Sequence, residues 1–170
     1  MADVAESLTP PAALDQKGNT TIWWVPTIAN VAAPSATEIG ATGATRITYS
    51  FTASGWTFAG AQSTVEDTRL TLAQPLESLD VNKVTLALNY VDSTDAKAAA
   101  VVLTPGLSGF FVERRNTANS TLIAAGQKVR VIPVTLGAQN PGKLDGNGKF
   151  TIDQAVAITG VVGAPVAVVA

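Results

Sequence analysis

The chain has no histidine, no cysteine and a single methionine among its 170 residues. Those absences exclude Ser–His and Cys–His nucleophilic pairs, disulfides and thiolate metal sites. No Ser-x-x-Lys spacing, no Gly-x-Gly-x-x-Gly and no phosphate loop occurs either. Glu66 and Asp67 are adjacent carboxylates, but neighbours on a strand face opposite sides and make a poor shared site. An enzyme is therefore not expected, nor a cofactor or metal. Charge is scarce as well: 14% of residues are charged, with 11 basic against 13 acidic and a net charge of −2. Without a basic excess, tight binding to a phosphate backbone is not expected. A soluble monomer normally covers itself with more charge, so a chain this poor in it is expected to hide surface against copies of itself.

Signals for membranes and export are missing too. Met1–Glu6 is acidic and lacks the basic and apolar parts of a signal peptide. The stretch from Gln154 to Ala170 carries no charge, but Gly160, Gly163 and Pro165 interrupt it. A spanning helix would need about 20 consecutive apolar residues, so this stretch is expected to be buried in protein.

What the sequence does have is apolar and β-forming. Hydrophobic residues make up 46%, enough for a packed core in one domain. Residues 1–18 read as a polar N-terminal arm and residues 19–170 as a single β-rich domain. Thr20–Val25 is β-branched and aromatic and stops at Pro26. Arg46–Phe51, Thr64–Ala73 and above all Val84–Tyr90 alternate apolar and polar, the pattern of half-buried antiparallel strands. Further strands are predicted over Gly109–Arg114, Lys128–Leu136 and Lys149–Thr159, with a last short one within Pro165–Val169. Ser35-Ala-Thr-Glu38 has capping-box spacing and predicts one helical turn. Asp92–Asp95 supplies capping acceptors for a helix over Ala96–Leu103, with Ala98, Val101 and Val102 pressed onto the sheet. Asp145-Gly-Asn-Gly148 reads as a hairpin turn and lacks the later acidic ligands of a calcium loop. The expected architecture is mainly β, an antiparallel sandwich or partly closed barrel with one flanking helix.

Some residues invite two readings. Trp23 and Trp24 face opposite sides of a strand, so at most one is expected in an ordinary core; the other lies under a loop or anchors a subunit interface. Trp56, in a loop-like stretch, poses the same choice. Arg114-Arg115, the one basic doublet, is either a solvated strand end or a partner for carboxylates of an adjacent copy. Trp23, Trp24, Trp56, Arg114 and Arg115 are thus the candidate interface residues.

Two segments are distinctive: Thr20–Ala44, TTIWWVPTIANVAAPSATEIGATGA, and Tyr90–Arg115, YVDSTDAKAAAVVLTPGLSGFFVERR. Together they resemble the tail tube (major tail) proteins of long-tailed bacteriophages, especially those infecting actinobacteria. Ala125–Pro141 and Gly148–Ala170 are similar to the closing portion of that family, while residues 53–82 carry no match. The resemblance implies two packed sheets forming nearly a barrel, and a structural role in the virion tail after synthesis in the host cytoplasm. It implies hexameric rings whose inner sheets join around a lumen and stack into a tube for genome ejection. It also implies tape measure, tail terminator and tail-tip proteins as partners. Double-stranded DNA would pass without specific binding, so the lumen should lack basic patches. Glu66, Asp67, Glu77 and Asp80, set against Arg69, are candidates for an acidic lumen or loop. The arm and residues 53–82 are expected to order on assembly. Two alternatives stay open: another virion protein, such as a decoration or tail-tip protein, or a carbohydrate-binding β-sandwich using an exposed Trp23 or Trp56 as a stacking platform.

Overall fold

A computed structural model describes residue 10 and residues 12–71, 73–144 and 148–170. Its elements run β1 (Thr20–Val25), α1 (Ala36–Ile39), β2 (Thr45–Arg46), a 3-10 turn (Thr48–Ser50), β3 (Phe51–Asp67), β4 (Leu76–Val91), α2 (Ala99–Val102), β5 (Ser108–Arg115), β6 (Lys128–Pro141), β7 (Thr151–Ile158) and β8 (Val166–Ala167). The strands pair antiparallel in one sheet of order β2-β1-β5-β6-β7-β4-β3, with β8 added on β6. Strand twist accumulates across so broad a sheet and curls it into a half-barrel. The mainly β, partly closed architecture expected from the sequence is thus present, with the predicted turn after Ser35 as α1 and the helix expected before β5 reduced to a single turn.

Alternation along the strands sorts side chains into two cores. Inside the curl lie Ile22, Trp24, Leu86, Leu88, Tyr90, Phe111, Ile132 and Leu136, closed over by Ala99 and Leu103 at α2. On the opposite face of β1, β5 and β6 lie Trp23, Val25, Ile28, Ile39, Val112, Val129, Val131 and Val168. Both tryptophans are therefore ordinary core, at 3% exposure each, because the 26–44 excursion and the C-terminal segment cover the outer face of β1. Burying a side chain of this size contributes roughly 2–3 kcal/mol. Gly109 sits where any Cβ would meet the Trp24 ring at 2.7 Å, so the strand opposite Trp24 requires glycine.

The predicted capping box forms. Ser35 Oγ accepts the Glu38 N–H at 3.1 Å, while the Glu38 carboxylate accepts N–H groups from Ser35 at 2.9 Å and Ala29 at 2.8 Å. Arg46–Phe51, by contrast, is not one strand. Thr48 Oγ1 accepts the Ile22 N–H at 2.8 Å and the chain turns through a 3-10 segment, which buries Ile47 and leaves Tyr49 84% exposed. The helix predicted over Ala96–Leu103 shortens to Ala99–Val102. The polar groups meant to cap it close turns instead: Asp95 Oδ1 accepts the Lys97 N–H at 2.8 Å, and Ser93 Oγ accepts the Asp95 N–H at 3.2 Å. The strand predicted over Thr64–Ala73 is the distal end of β3 and stops at Asp67. The uncharged C-terminal stretch is only partly buried: Val168 is in the outer core, but Val161 is 90% exposed. The turn expected at Asp145–Gly148 falls mostly outside the described residues, as does the first half of the N-terminal arm, whose residues 12–18 are exposed. Among the described residues no helix is long and apolar enough to cross a membrane.

Candidate assembly surfaces

The sheet presents one broad face on which none of the described residues packs. Antiparallel register aligns Thr57 with Ala87 and Ala87 with Ala155, and it aligns Asn89 with Asp153 and Thr135 with Ala157. The result is a surface of Ala, Thr, Ser and Asn across β3, β4, β7 and the end of β6, with Lys83 and Asp153 as its charges. The short polar side chains bond to each other along it: Asn89 Nδ2 donates to Asp153 Oδ1 at 2.7 Å, and the Ser108 and Thr135 hydroxyls are 2.8 Å apart. Alternation at Thr57, Ala59 and Ala61, and again at Thr85 and Ala87, was the sequence signal for this face.

That part of the sheet has two open edges. β3 ends the strand order and has β4 as its one neighbour. At the other side, β5 leaves β6 at the Ser108–Thr135 pair, and the Gly106 and Leu107 backbones close off Leu136. From Gly137 to Pro141, among the described residues, β6 pairs with β7 alone. No sequence pattern marked this edge, because it arises from where β5 starts.

β3 and β4 continue past the body as a hairpin. None of the described residues between Ala59 and Lys83 is buried. Ten residues separate Leu86, the last buried position, from Leu76, so at about 3.3 Å each the hairpin projects about 33 Å. It carries Val65, Leu70, Leu76, Leu79 and Val81, exposed by 51 to 95%. It also carries all four candidate acidic residues. Glu66 faces Glu77 across the ladder, Asp67 pairs with Arg69 at 2.7 Å, and Asp80 accepts the Ser63 hydroxyl at 3.3 Å. As expected for strand neighbours, Glu66 and Asp67 fall on opposite faces.

The candidate interface residues separate. Trp23 and Trp24 are enclosed within one chain, and so is Arg114, at 0% exposure. The Arg114 guanidinium donates to the carbonyls of Ala118, Thr121 and Leu122, to Gln127 Oε1 and to Thr21 Oγ1, and stacks 5.1 Å from the Trp23 ring centroid. It organises the loop after β5 rather than an outer surface. Trp56 is half-buried, edge-on to Phe51 and Phe111, and its Nε1 donates to Glu113 Oε1 at 3.2 Å. Glu113 is a buried carboxylate held also by Arg115 at 2.7 Å and Arg130 at 3.5 Å. Arg115 keeps 62% of its side chain exposed beside a cleft of about 480 Å³ that Leu14, Asp15 and Gln16 of the arm flank. A sugar platform at Trp23 is therefore not available, and Trp56 shows only part of its ring.

A second groove, of about 600 Å³, lies between the 3-10 turn and the loop before α2. Arg46, Tyr49, Asp95, Lys97 and Lys149 line it, brought together from three distant stretches of chain that no sequence motif connects. Among the described residues, no group of acidic side chains is arranged to hold a metal ion.

Two open strand edges and the exposed apolar side chains of the hairpin are thus the chief surface features among the described residues. No curated protein matches the chain. The family model described as phage tail tube protein matches residues 8–170, which is nearly all of it. The mainly β curled sheet accords with that match, and the chain belongs to the phage tail tube proteins, structural components of the virion tail.

Proposed function

We propose that copies of this chain close into hexameric rings by edge-to-edge extension of the sheet, and that the rings stack into the tube through which the phage genome leaves. One observation carries the reading: the part of the sheet with a bare face ends in two different open edges, β3 and Gly137–Pro141 of β6. Two different edges let each copy join a neighbour on either side. They match head to tail, the heterologous contact that closes a ring. The bare face then becomes the channel lining. Its short, hydrogen-bonded side chains and single lysine offer a phosphate backbone little to hold, since non-specific DNA affinity depends on basic contacts. Arg115 and the exposed rim of Trp56, beside the cleft next to the arm, are the candidate interface residues left accessible to a neighbouring copy. The arm orders against that neighbour. Tape measure, terminator and tip proteins are the partners at the ends of such a tube.

Negative-stain electron microscopy across a concentration series tests the reading. Hollow tubes or stacked rings with a central channel are expected. Closed trimers would overturn the hexameric-ring reading. A variant lacking residues 1–18 is expected to keep its circular dichroism spectrum and melting temperature while forming fewer tubes; unimpaired assembly would remove the arm from the interface.

A further inference from the structure

We infer that the groove lined by Arg46, Tyr49, Lys97 and Lys149 is the seat for the acidic hairpin of the next copy along the tube. This rests on the tube reading above and names the acceptor site that reading leaves open. Within one chain the groove has more positive charge than it can neutralise. Among the described residues none of its three cations forms an ion pair, and its one carboxylate, Asp95, accepts the Lys97 backbone N–H at 2.8 Å. Arg46 is held in place by the carbonyls of Asn119 and Thr121, at 2.7 and 3.1 Å, and by the Trp23 ring. Tyr49 stands 84% exposed beside it, an aromatic surface with nothing on it.

The hairpin has the complementary surplus. Glu66 lies directly opposite Glu77, and neither forms an ion pair among the described residues. Like charges facing each other across a ladder are destabilising, so this pair is at a disadvantage in the free hairpin and is relieved by a cationic seat. Leu79 and Leu76, 77% and 57% exposed, add apolar surface next to the carboxylates.

Geometry joins the two. Leu76 begins β4 at the hairpin end, and Val91, its last residue, lines the groove. Donor and acceptor thus stand at opposite ends of one 16-residue strand, about 50 Å apart at about 3.3 Å per step. Stacking copies along the direction of β4 brings each hairpin towards the groove of the next. Such a contact is heterologous and never closes, as a growing tube requires.

Charge reversal on each side provides the test, because all four positions are exposed and the fold does not depend on them. E66K/E77K reverses the hairpin and K97E/K149E reverses the groove. Each variant alone is expected to keep the wild-type melting temperature and to yield at least tenfold less pelletable tube. The combined variant E66K/E77K/K97E/K149E is expected to restore tubes, since its basic hairpin then meets a groove in which two lysines have become acidic. Wild-type yield from either variant alone, or a combined variant no better than either, would overturn the inference while leaving the tube reading intact. Closed trimers from the unmodified protein in the same experiment would remove both.

Discussion

With no exposed surface and, among the described residues, no carboxylate partner, the Arg114 guanidinium relies on neutral oxygens: its two terminal nitrogens donate to Thr21, Ala118, Thr121, Leu122 and Gln127, while its Nε has no partner among the described residues. Burial lowers its pKa, with Arg46 adding to the effect, which reflects the desolvation those oxygens offset. Truncation leaves the carbonyls buried without a donor, so Arg114→Ala is expected to lose about 3 kcal/mol. Arg114→Lys is expected to fall between the two, because one ammonium cannot reach all of the acceptors. Urea unfolding at assembly-suppressing concentration measures both. At the capping box, the N–H groups of Ala29 and Ser35 hold the Glu38 carboxyl below its ordinary range. A folded pKa below the unfolded one means the contribution is present at neutral pH and lost as pH falls through the acid range. Glu38→Gln keeps an acceptor without the charge, so its melting temperature should fall less than that of the wild type between about pH 6 and pH 3. The capping box was legible in the sequence because its partners are three residues apart. The role of Arg114 was not, because Thr21 lies 93 residues away and meets it only through the β1–β5 pairing.

Elements were readable where burial imposes a period. Val84–Tyr90 alternates because Leu86, Leu88 and Tyr90 enter the core, and β5 and β6 follow the same logic. Past Val84 the hairpin buries nothing, so no face constrains its sequence and the period fades. The helix before β5 was overestimated for a related reason: propensity favoured residues 96–103, but Asp95 and Ser93 closed local turns that delayed the first helical bond. If the hairpin serves contacts between rings and not the fold, it should be removable. Replacing Gln62–Asn82 with an Asn-Gly turn joins Ala61 and Lys83, which already face each other. The shortened protein is expected to melt within a few degrees of the wild type, since no buried side chain is lost. In sedimentation it should give rings or smaller species and no tubes. Normal tubes from it would show that stacking does not use the hairpin.

At the scale of the whole molecule, the proposed channel would give low charge and a bare face of small side chains one common use: a surface past which a polyanion moves freely. In the proposed assembly each copy contributes the same face, so whatever stands on it is multiplied around the ring and along the tube. A single added lysine per copy becomes a closely spaced lattice of cations lining a channel narrow enough to keep DNA near it. Counterion release makes affinity rise steeply with the number of such contacts. Ala87 and Ala155 are the positions to test, because they face each other across β4 and β7, are exposed, and have no partner to disturb. Ala87→Lys and Ala155→Lys are each expected to leave folding and tube formation unchanged; together they place two lysines opposite each other, which should lower the melting temperature by a few degrees and still leave tubes. Phage carrying the double variant should eject its genome more slowly, and the defect should shrink as ionic strength rises, because salt screens the added contacts. Ejection at the wild-type rate from intact double-variant tubes would place this face outside the channel. A defect in assembly instead would place it at a contact between copies.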